Sequence, residues 1–240
     1  MQWIDAIAKK ACTLSLWIAG IILPIGNVAN AQIEPIEAKE RGKHALLIGN
    51  ANYEHFAEVR GADEDVKEIH DKLDGIGFNV LALTDVETWQ DFEEIVFQFS
   101  KKIQPDDIVL IHFSGHGFSN GNNNYLVPTN APGIIDRQDL SRTFIAESTI
   151  RSFVDQRDPS VLIFSVDACR ENFSGVHDIE DGQKLSVTAP VEAAYFPKRH
   201  SVMTSTAIGK SAFSYDDDRP SWYSSAVAEH IKKESIFYPV

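Results

Sequence analysis

The chain is short of cysteine, of positive charge and of long apolar runs, and each shortage excludes something. Lys and Arg number 22 against 35 Asp and Glu, a net charge of −13. Such an acidic protein repels phosphate backbones, so nucleic acid is excluded as a partner and basic peptides are favoured. The longest apolar stretch, residues 11–25, is interrupted by Gly20 and Pro24 and falls short of the roughly 20 residues that span a bilayer. Lys9-Lys10 precede it and Ala29-Asn30-Ala31 closes it. A charged start, an apolar middle and a small-residue exit predict a secretory signal peptide over residues 1–31, hence an exported protein, periplasmic or extracellular, with no stable membrane span after cleavage. Residues 1–31 carry Asp5, Lys9 and Lys10, a net of +1, so what remains carries −14. Cleavage also removes Cys12, whose Lys10-Ala11 context gives no lipid-attachment signal, and leaves Cys169 as the single thiol. A lone cysteine makes no internal disulfide, and in an exported protein it reads as intermolecular pairing, a reactive thiol or a small buried hydrophobe. No two of His44, His55, His70, His112 and His230 stand at a zinc-ligand spacing, so each reads as a core or surface residue and no metal is expected.

Residues 32–42, polar and containing Pro35, read as a linker to a domain over residues 43–240. The apolar run 44–49 predicts a buried strand. Ala62, Val66, Ile69, Leu73 and Ile76 then lie on one helical face, with Gly75 and Gly77 as its exit. Residues 78–83 predict a second strand, Trp89, Phe92, Ile95, Val96, Phe99 and Ile103 a second helix, and residues 108–113 a third strand. Strands alternating with helix-length crossovers predict an α/β fold with a mostly parallel central sheet. Gly121-Asn122-Asn123-Asn124 predicts a hairpin turn, residues 149–154 a short helix and residues 160–166 another buried strand. After a long polar stretch, 171–199, a strand over 200–206 and a helix over 222–233 are expected, the latter with Ala226, Val227 and Ile231 inward.

Two strings carry the chemistry. Ser114-Gly115-His116-Gly117 follows one buried strand and Asp167-Ala168-Cys169-Arg170 follows another. Parallel strands deliver an imidazole and a thiol to the same sheet edge, beyond the carboxyl ends where open α/β sheets act on ligands. A free thiol titrates near 8.5, and a neighbouring imidazolium or helix N-terminus lowers that value. His116 then serves as base and acid, Cys169 as nucleophile, and the amides of Gly117 and Cys169 as oxyanion donors.

With His116 and Cys169 53 positions apart, the paired motifs resemble the caspase-like cysteine peptidases. The likeness runs from about Lys43 to His230 and takes in Gly61-Ala62-Asp63-Glu64-Asp65, Asn124-Tyr125-Leu126-Val127-Pro128 and Ser201-Val202-Met203-Thr204-Ser205. Asp-Ala-Cys in place of Gln-Ala-Cys is similar to the metacaspase and bacterial branch. The resemblance implies a three-layer sandwich with helices on both faces of the sheet. It also implies that Asp65, Asp167 and Ser114 line a pocket for the residue preceding the scissile bond (P1), selecting Arg or Lys, with Arg held bidentately. Read without the family, Asp167 caps a turn and Asp65 is a first-turn acid.

Calcium-dependent metacaspases carry acids after the catalytic His, whereas here residues 118–124 hold Asn122, Asn123 and Asn124, so no cofactor is expected and Asp216-Asp217-Asp218 reads as a solvated loop. Lys184 and Lys198-Arg199 lie where such enzymes cut themselves. The partners expected are peptide or protein substrates with basic residues; a homodimer is left open. The rival reading is a catalytically silent scaffold or binding protein of the same fold.

Overall fold

In a computed structural model, the structure describes residues 41–119, 123–136, 139–168, 176–177, 200–206 and 217–232. The elements run β1 (Lys43–Gly49), α1 (Ala62–Asp74), β2 (Asn79–Thr84), α2 (Trp89–Ser100), β3 (Ile108–Ser114), β4 (Gly117–Ser119), β5 (Asn124–Leu126), β6 (Ile135–Asp136), α3 (Leu140–Thr143), β7 (Ile145–Ala146), α4 (Glu147–Asp155), β8 (Val161–Asp167), β9 (Val176–His177), β10 (His200–Thr204) and α5 (Trp222–His230). Five strands form one sheet in the order β10-β8-β3-β1-β2. Every neighbouring pair in it is parallel. The α/β class and the parallel sheet are as the alternation of apolar runs predicts, and the helices on both faces are as the family resemblance implies.

Strand alternation divides the sheet's side chains between two cores. Leu46, Ile48, Val109, Ile111, Phe113, Leu162 and Phe164 face α2 and α4, where Phe92, Val96, Phe99, Ile150 and Val154 close the layer. Ala45, Leu47, Ile108 and Leu110 face α1 and α5, meeting Val66, Ile69, Leu73 and Ala228. The α2 N-terminus is fixed by a capping box in which Thr88 and Asp91 satisfy each other's amides.

The predicted hairpin is present, with Phe118 opposite Tyr125 and Ser119 opposite Asn124. Its turn residues 120–122 lie outside the described residues. β7 adds a third strand to it, and the short parallel pairing of β6 with β9 was not anticipated, because two-residue strands have no period to read. The inward face of α5 differs from the expected one. Ala226 is exposed, and Ser224 and Ala228 are buried with Val227 and Ile231 beside them. A hydropathy pattern turns serine outward; here the layer beneath is polar, so serine turns in. No described helix is long and apolar enough to cross a membrane.

Candidate active site

The carboxyl ends of β3 and β8 are in register, Ser114 opposite Asp167. Ladder bonding continues one residue further, the Gly115 amide donating to the Asp167 carbonyl at 3.1 Å. His116 is two residues beyond Ser114, and Cys169 is two residues beyond Asp167 in sequence. Cys169 lies outside the described residues, as do Lys184, Lys198, Arg199 and Asp216. Gly115 is required where it stands. Its φ is 154° and a Cβ there would lie 2.6 Å from the Tyr53 hydroxyl and 2.9 Å from the Phe113 ring.

Loop 50–60 holds the His116 ring. Asn50, fully buried, accepts from the Val86 amide at 2.9 Å and donates to the Val127 carbonyl at 3.0 Å. Asp85 receives the amides of Ala51 and Asn52 at 2.8 and 2.9 Å. The loop so tied presents the Tyr53 hydroxyl to the His116 amide at 2.8 Å and the Tyr53 ring to the imidazole at 4.6 Å between centroids. Phe56 flanks the same imidazole at 5.7 Å. Burial pushes the Tyr53 hydroxyl well above the usual phenol range, so it stays a donor and bonds the Val127 carbonyl.

The ring's tautomer follows from one contact. His116 Nε2 lies 2.7 Å from the Ala57 carbonyl, which only accepts, so Nε2 carries the proton and Nδ1 is left with its lone pair. Burial lowers the imidazole's proton affinity and the Ala57 carbonyl opposes that. A neutral ring with a free Nδ1 is a base. A backbone carbonyl carries no side-chain signal, so Ala57 was invisible to the sequence reading. Gly117 opens β4 immediately after this ring.

The three residues expected to line a pocket are brought together. Asp65 and Asp167 are 2% and 6% exposed, and Ser114 is 2% exposed. Asp65 accepts from the Ser114 hydroxyl at 2.6 Å and from the Ser221 amide at 2.7 Å. Asp167 accepts from the hydroxyls of Ser221 and, at 3.2 Å, Ser224. Ser221 therefore bridges the two carboxylates, its amide on one and its hydroxyl on the other. Gly61, at φ 82°, permits this closure, because a Cβ there would meet the Arg219 carbonyl at 2.2 Å. Ser221 and Ser224 were missed by the sequence reading; 156 residues separate Ser221 from Asp65 and no motif marks it.

Burial raises the Asp65 pKa to about 6, and the nearby Asp167 charge adds to that while Ser114, Ser221 and Ser224 pull it down. Burial likewise raises Asp167, against the hydroxyls of Ser221, Ser205 and Ser224. Among the described residues, the groups that favour the charged form of either carboxylate are neutral hydroxyls and an amide. Two buried acids thus share one serine, with no cationic side chain among the described residues that bond them. Asp217, by contrast, is engaged by its own neighbour, the Arg219 guanidinium Nε donating at 2.8 and 2.9 Å.

The caspase domain model matches residues 42–236, and the chain belongs to that family, a family of cysteine peptidases. It is 26% identical over 171 residues to human mucosa-associated lymphoid tissue lymphoma translocation protein 1, covering 71% of this chain and 20% of that protein. It is 27% identical to Bos taurus caspase-13, with 69% of this chain and 43% of that protein covered. Against the paracaspase of Dictyostelium discoideum the identity is 28%, over 57% of this chain and 33% of the relative. The chain thus spans less than half the length of these relatives.

Proposed function

We propose that the chain is an exported cysteine endopeptidase that cuts after Arg or Lys. The observation that carries the specificity is the pair Asp65 and Asp167, buried together and, among the described residues, balanced by hydroxyls and an amide. An arginine guanidinium entering the pocket supplies the missing positive charge and satisfies both carboxylates at once. An acidic P1 residue adds a third negative charge and is refused.

The reaction proposed runs on a dyad. The Cys169 thiol gives its proton to His116 Nδ1, and the sulfur attacks the P1 carbonyl carbon. The carbonyl oxygen, now anionic, takes hydrogen bonds from the Gly117 and Cys169 amides. His116 hands the proton to the leaving amine as the peptide bond breaks, leaving an acyl-enzyme thioester. The same Nδ1 takes a proton from a water molecule, whose oxygen attacks the thioester carbon; the C–S bond breaks, the carboxylic acid product leaves, and the imidazolium returns the proton to the sulfur. Two features support the dyad: the Ala57 carbonyl fixes the ring with Nδ1 unprotonated, and the register sets Ser114 and Asp167, the first residues of the two motifs, opposite each other. The proposed reaction uses no metal, since thiolate, imidazole and amides supply every role in it.

Residues 1–31 are proposed as the export signal and residues 32–42 as the linker, which places the activity outside the cytoplasm. Peptides ending in Arg, Lys, Asn or Asp before a fluorogenic group, with and without calcium, test the reading. Turnover of the Arg and Lys peptides alone is expected, unchanged by calcium and abolished in Cys169→Ala and His116→Ala. Equal turnover of all four peptides would remove the role given to Asp65 and Asp167, and no turnover at all would leave the silent scaffold.

A further inference from the structure

One buried titratable group has no part in the proposed dyad. His112 is completely buried on β3 and shares the face of Ser114, beneath the start of α5. Its Nδ1 lies 3.0 Å from the Ser165 hydroxyl and its Nε2 at a longer 3.5 Å from the Ser224 hydroxyl. Ser165 in turn lies 3.0 Å from the Tyr223 hydroxyl, and Ser224 lies 3.2 Å from Asp167.

Counting protons orders these contacts. Both carboxylates that Ser224 serves only accept, so its single hydroxyl proton is turned towards them, with Asp167 at 3.2 Å. Ser224 Oγ then has lone pairs facing His112 Nε2, which must carry the ring proton. Nδ1 is left as an acceptor and takes the Ser165 hydroxyl, which accepts from Tyr223. The opposite tautomer sets the Nε2 lone pair against the Ser224 oxygen and strands a buried acceptor. The chain of donors therefore runs one way from Tyr223 through Ser165, and again from His112 through Ser224, ending on Asp167.

We propose that His112 is a positioning residue for the acidic pocket: through Ser224 it keeps a donor aimed at the Asp167 carboxylate, holding that carboxylate charged and oriented for a basic side chain. The inference rests on the proposed Arg/Lys pocket for its consequence, but the linkage to Asp167 stands on geometry alone. Burial lowers the His112 pKa to about 3, so the ring stays neutral and adds direction without adding charge. Among the described residues, the other titratable groups around Asp167 are Asp65 on α1 and Tyr223 on α5, and both interact with its charge. Arg219, before α5, is turned onto Asp217.

The test uses the full chain and two substitutions that split the ring's contacts. His112→Asn keeps a polar group near Ser165 and loses the Nε2 donor; His112→Gln keeps an N–H directed at Ser224. In His112→Asn the Asp167 carboxyl, followed by carbon-13 NMR, titrates about half a unit to one unit higher. The acid limb of kcat/KM for an Arg peptide moves up with it, and KM rises about fivefold with kcat within about twofold. His112→Gln recovers most of both effects. Pairing His112→Asn with Ser224→Ala adds little to either alone, because both act through one contact. An unmoved Asp167 titration, or equal effects of Asn and Gln, overturns the proposal. Nitrogen-15 shifts of the wild-type ring provide a check that needs no variant to fold. The Nε2–H tautomer is expected, and the Nδ1–H tautomer overturns the proposal. If the wild type cleaves no Arg or Lys peptide, the peptidase reading fails while the carboxyl titration and the tautomer still decide the role of His112.

Discussion

The two faces of β3 are built to different ends. Towards α2 and α4 the strand presents Val109, Ile111 and Phe113, apolar along its whole length and joined to Phe92, Phe99 and Phe164. Towards α1 and α5 it begins with Ile108 and Leu110 in an apolar core and then turns polar, with His112 and Ser114 both 2% exposed or less. Its neighbour β8 does the same with Ser165 and Asp167. Hydrophobic burial anchors the first face, at some 25 cal/mol for each Å² removed from water. The second face gives up that gain over its last turn of residues to hold two carboxylates out of water. Stability is thus concentrated on one side of the sheet, and chemistry on the other.

The largest contrast comes from emptying the apolar face. Phe164→Ala removes a fully buried ring from the α2/α4 core and should cost about 3 to 5 kcal/mol of unfolding free energy, read by denaturant titration. If the protein still folds, P1 preference should be unchanged, since Phe164 packs in the α2/α4 core whereas Ser114 and Asp167 take the opposite face of their strands. A shift in Arg-over-Asn preference would show that the faces are coupled and break the comparison.

Asp65→Asn probes the polar face and has the opposite sign. The folded pKa of Asp65 is raised from 3.8 to about 6, so its contribution to stability is fully present below about pH 4 and is lost as pH rises from there through 6. The loss is roughly 2 to 3 kcal/mol by linkage. Asp65→Asn should therefore flatten the decline in stability between pH 4 and 7, measured by unfolding at a series of pH values. The same substitution should lower kcat/KM for Arg peptides by about tenfold to a hundredfold, the loss of a charged partner in a buried site. In the wild type kcat/KM should climb as pH passes through about 6, because the substrate cation needs the ionised carboxyl. A variant that loses activity and stability together at pH 7 would mean that Asp65 is a structural acid.

Asp107 sharpens the point from the other end of β3. It is 4% exposed, yet it receives the Gly42 amide at 2.9 Å, the Gln104 amide at 2.8 Å and His44 Nε2 at 3.2 Å. A buried carboxylate with two amides and an imidazole is a structural tie. Burial by itself does not mark a site: among the described residues Asp107 is tied by two amides and an imidazole, whereas Asp65 and Asp167 are joined to each other through Ser221.

A next, smaller effect is expected from Gly115→Ala. The added methyl meets the Tyr53 hydroxyl at 2.6 Å and the Phe113 ring at 2.9 Å, both too close to keep, and the backbone φ is unfavourable as well. About 2 kcal/mol of stability should go, with a fall in kcat larger than any rise in KM, because the His116 ring sits on the Tyr53 side chain that must move.

How much of this the sequence discloses depends on whether the signal is local. The strands β1, β3 and β8 are continuous apolar runs ended by Gly, Ser and Asp, and their places were legible within a residue or two. Ser114, Asp65 and Asp167 came from motif likeness, and the structure joins them by Ser114–Asp65 and Ser221 contacts. What stayed hidden was carried by long-range geometry. The Ala57 carbonyl has no residue-type signature. Ser224 carries no inward signal, because a polar residue on an amphipathic helix ordinarily faces water, a rule that fails over the polar layer beneath α5. His112 was taken as an ordinary core or surface histidine; its partners Ser165 and Ser224 lie 53 and 112 residues away.

Tyr53→Phe asks how finely the loop must hold the imidazole. The substitution keeps the ring that packs on His116 at 4.6 Å and removes only the hydroxyl that receives the His116 amide and donates to the Val127 carbonyl. The His116 amide loses its partner, while the Val127 carbonyl keeps the Asn50 side chain, a cost of about 1 to 2 kcal/mol. If the hydroxyl serves the site, kcat falls about threefold to tenfold with KM nearly constant, since the acidic pocket is untouched and only the base has shifted. If it serves the fold alone, the melting temperature drops and kcat at a temperature well below melting stays at the wild-type value. The two outcomes separate a loop that merely closes the sheet end from one that aims Nδ1 of His116.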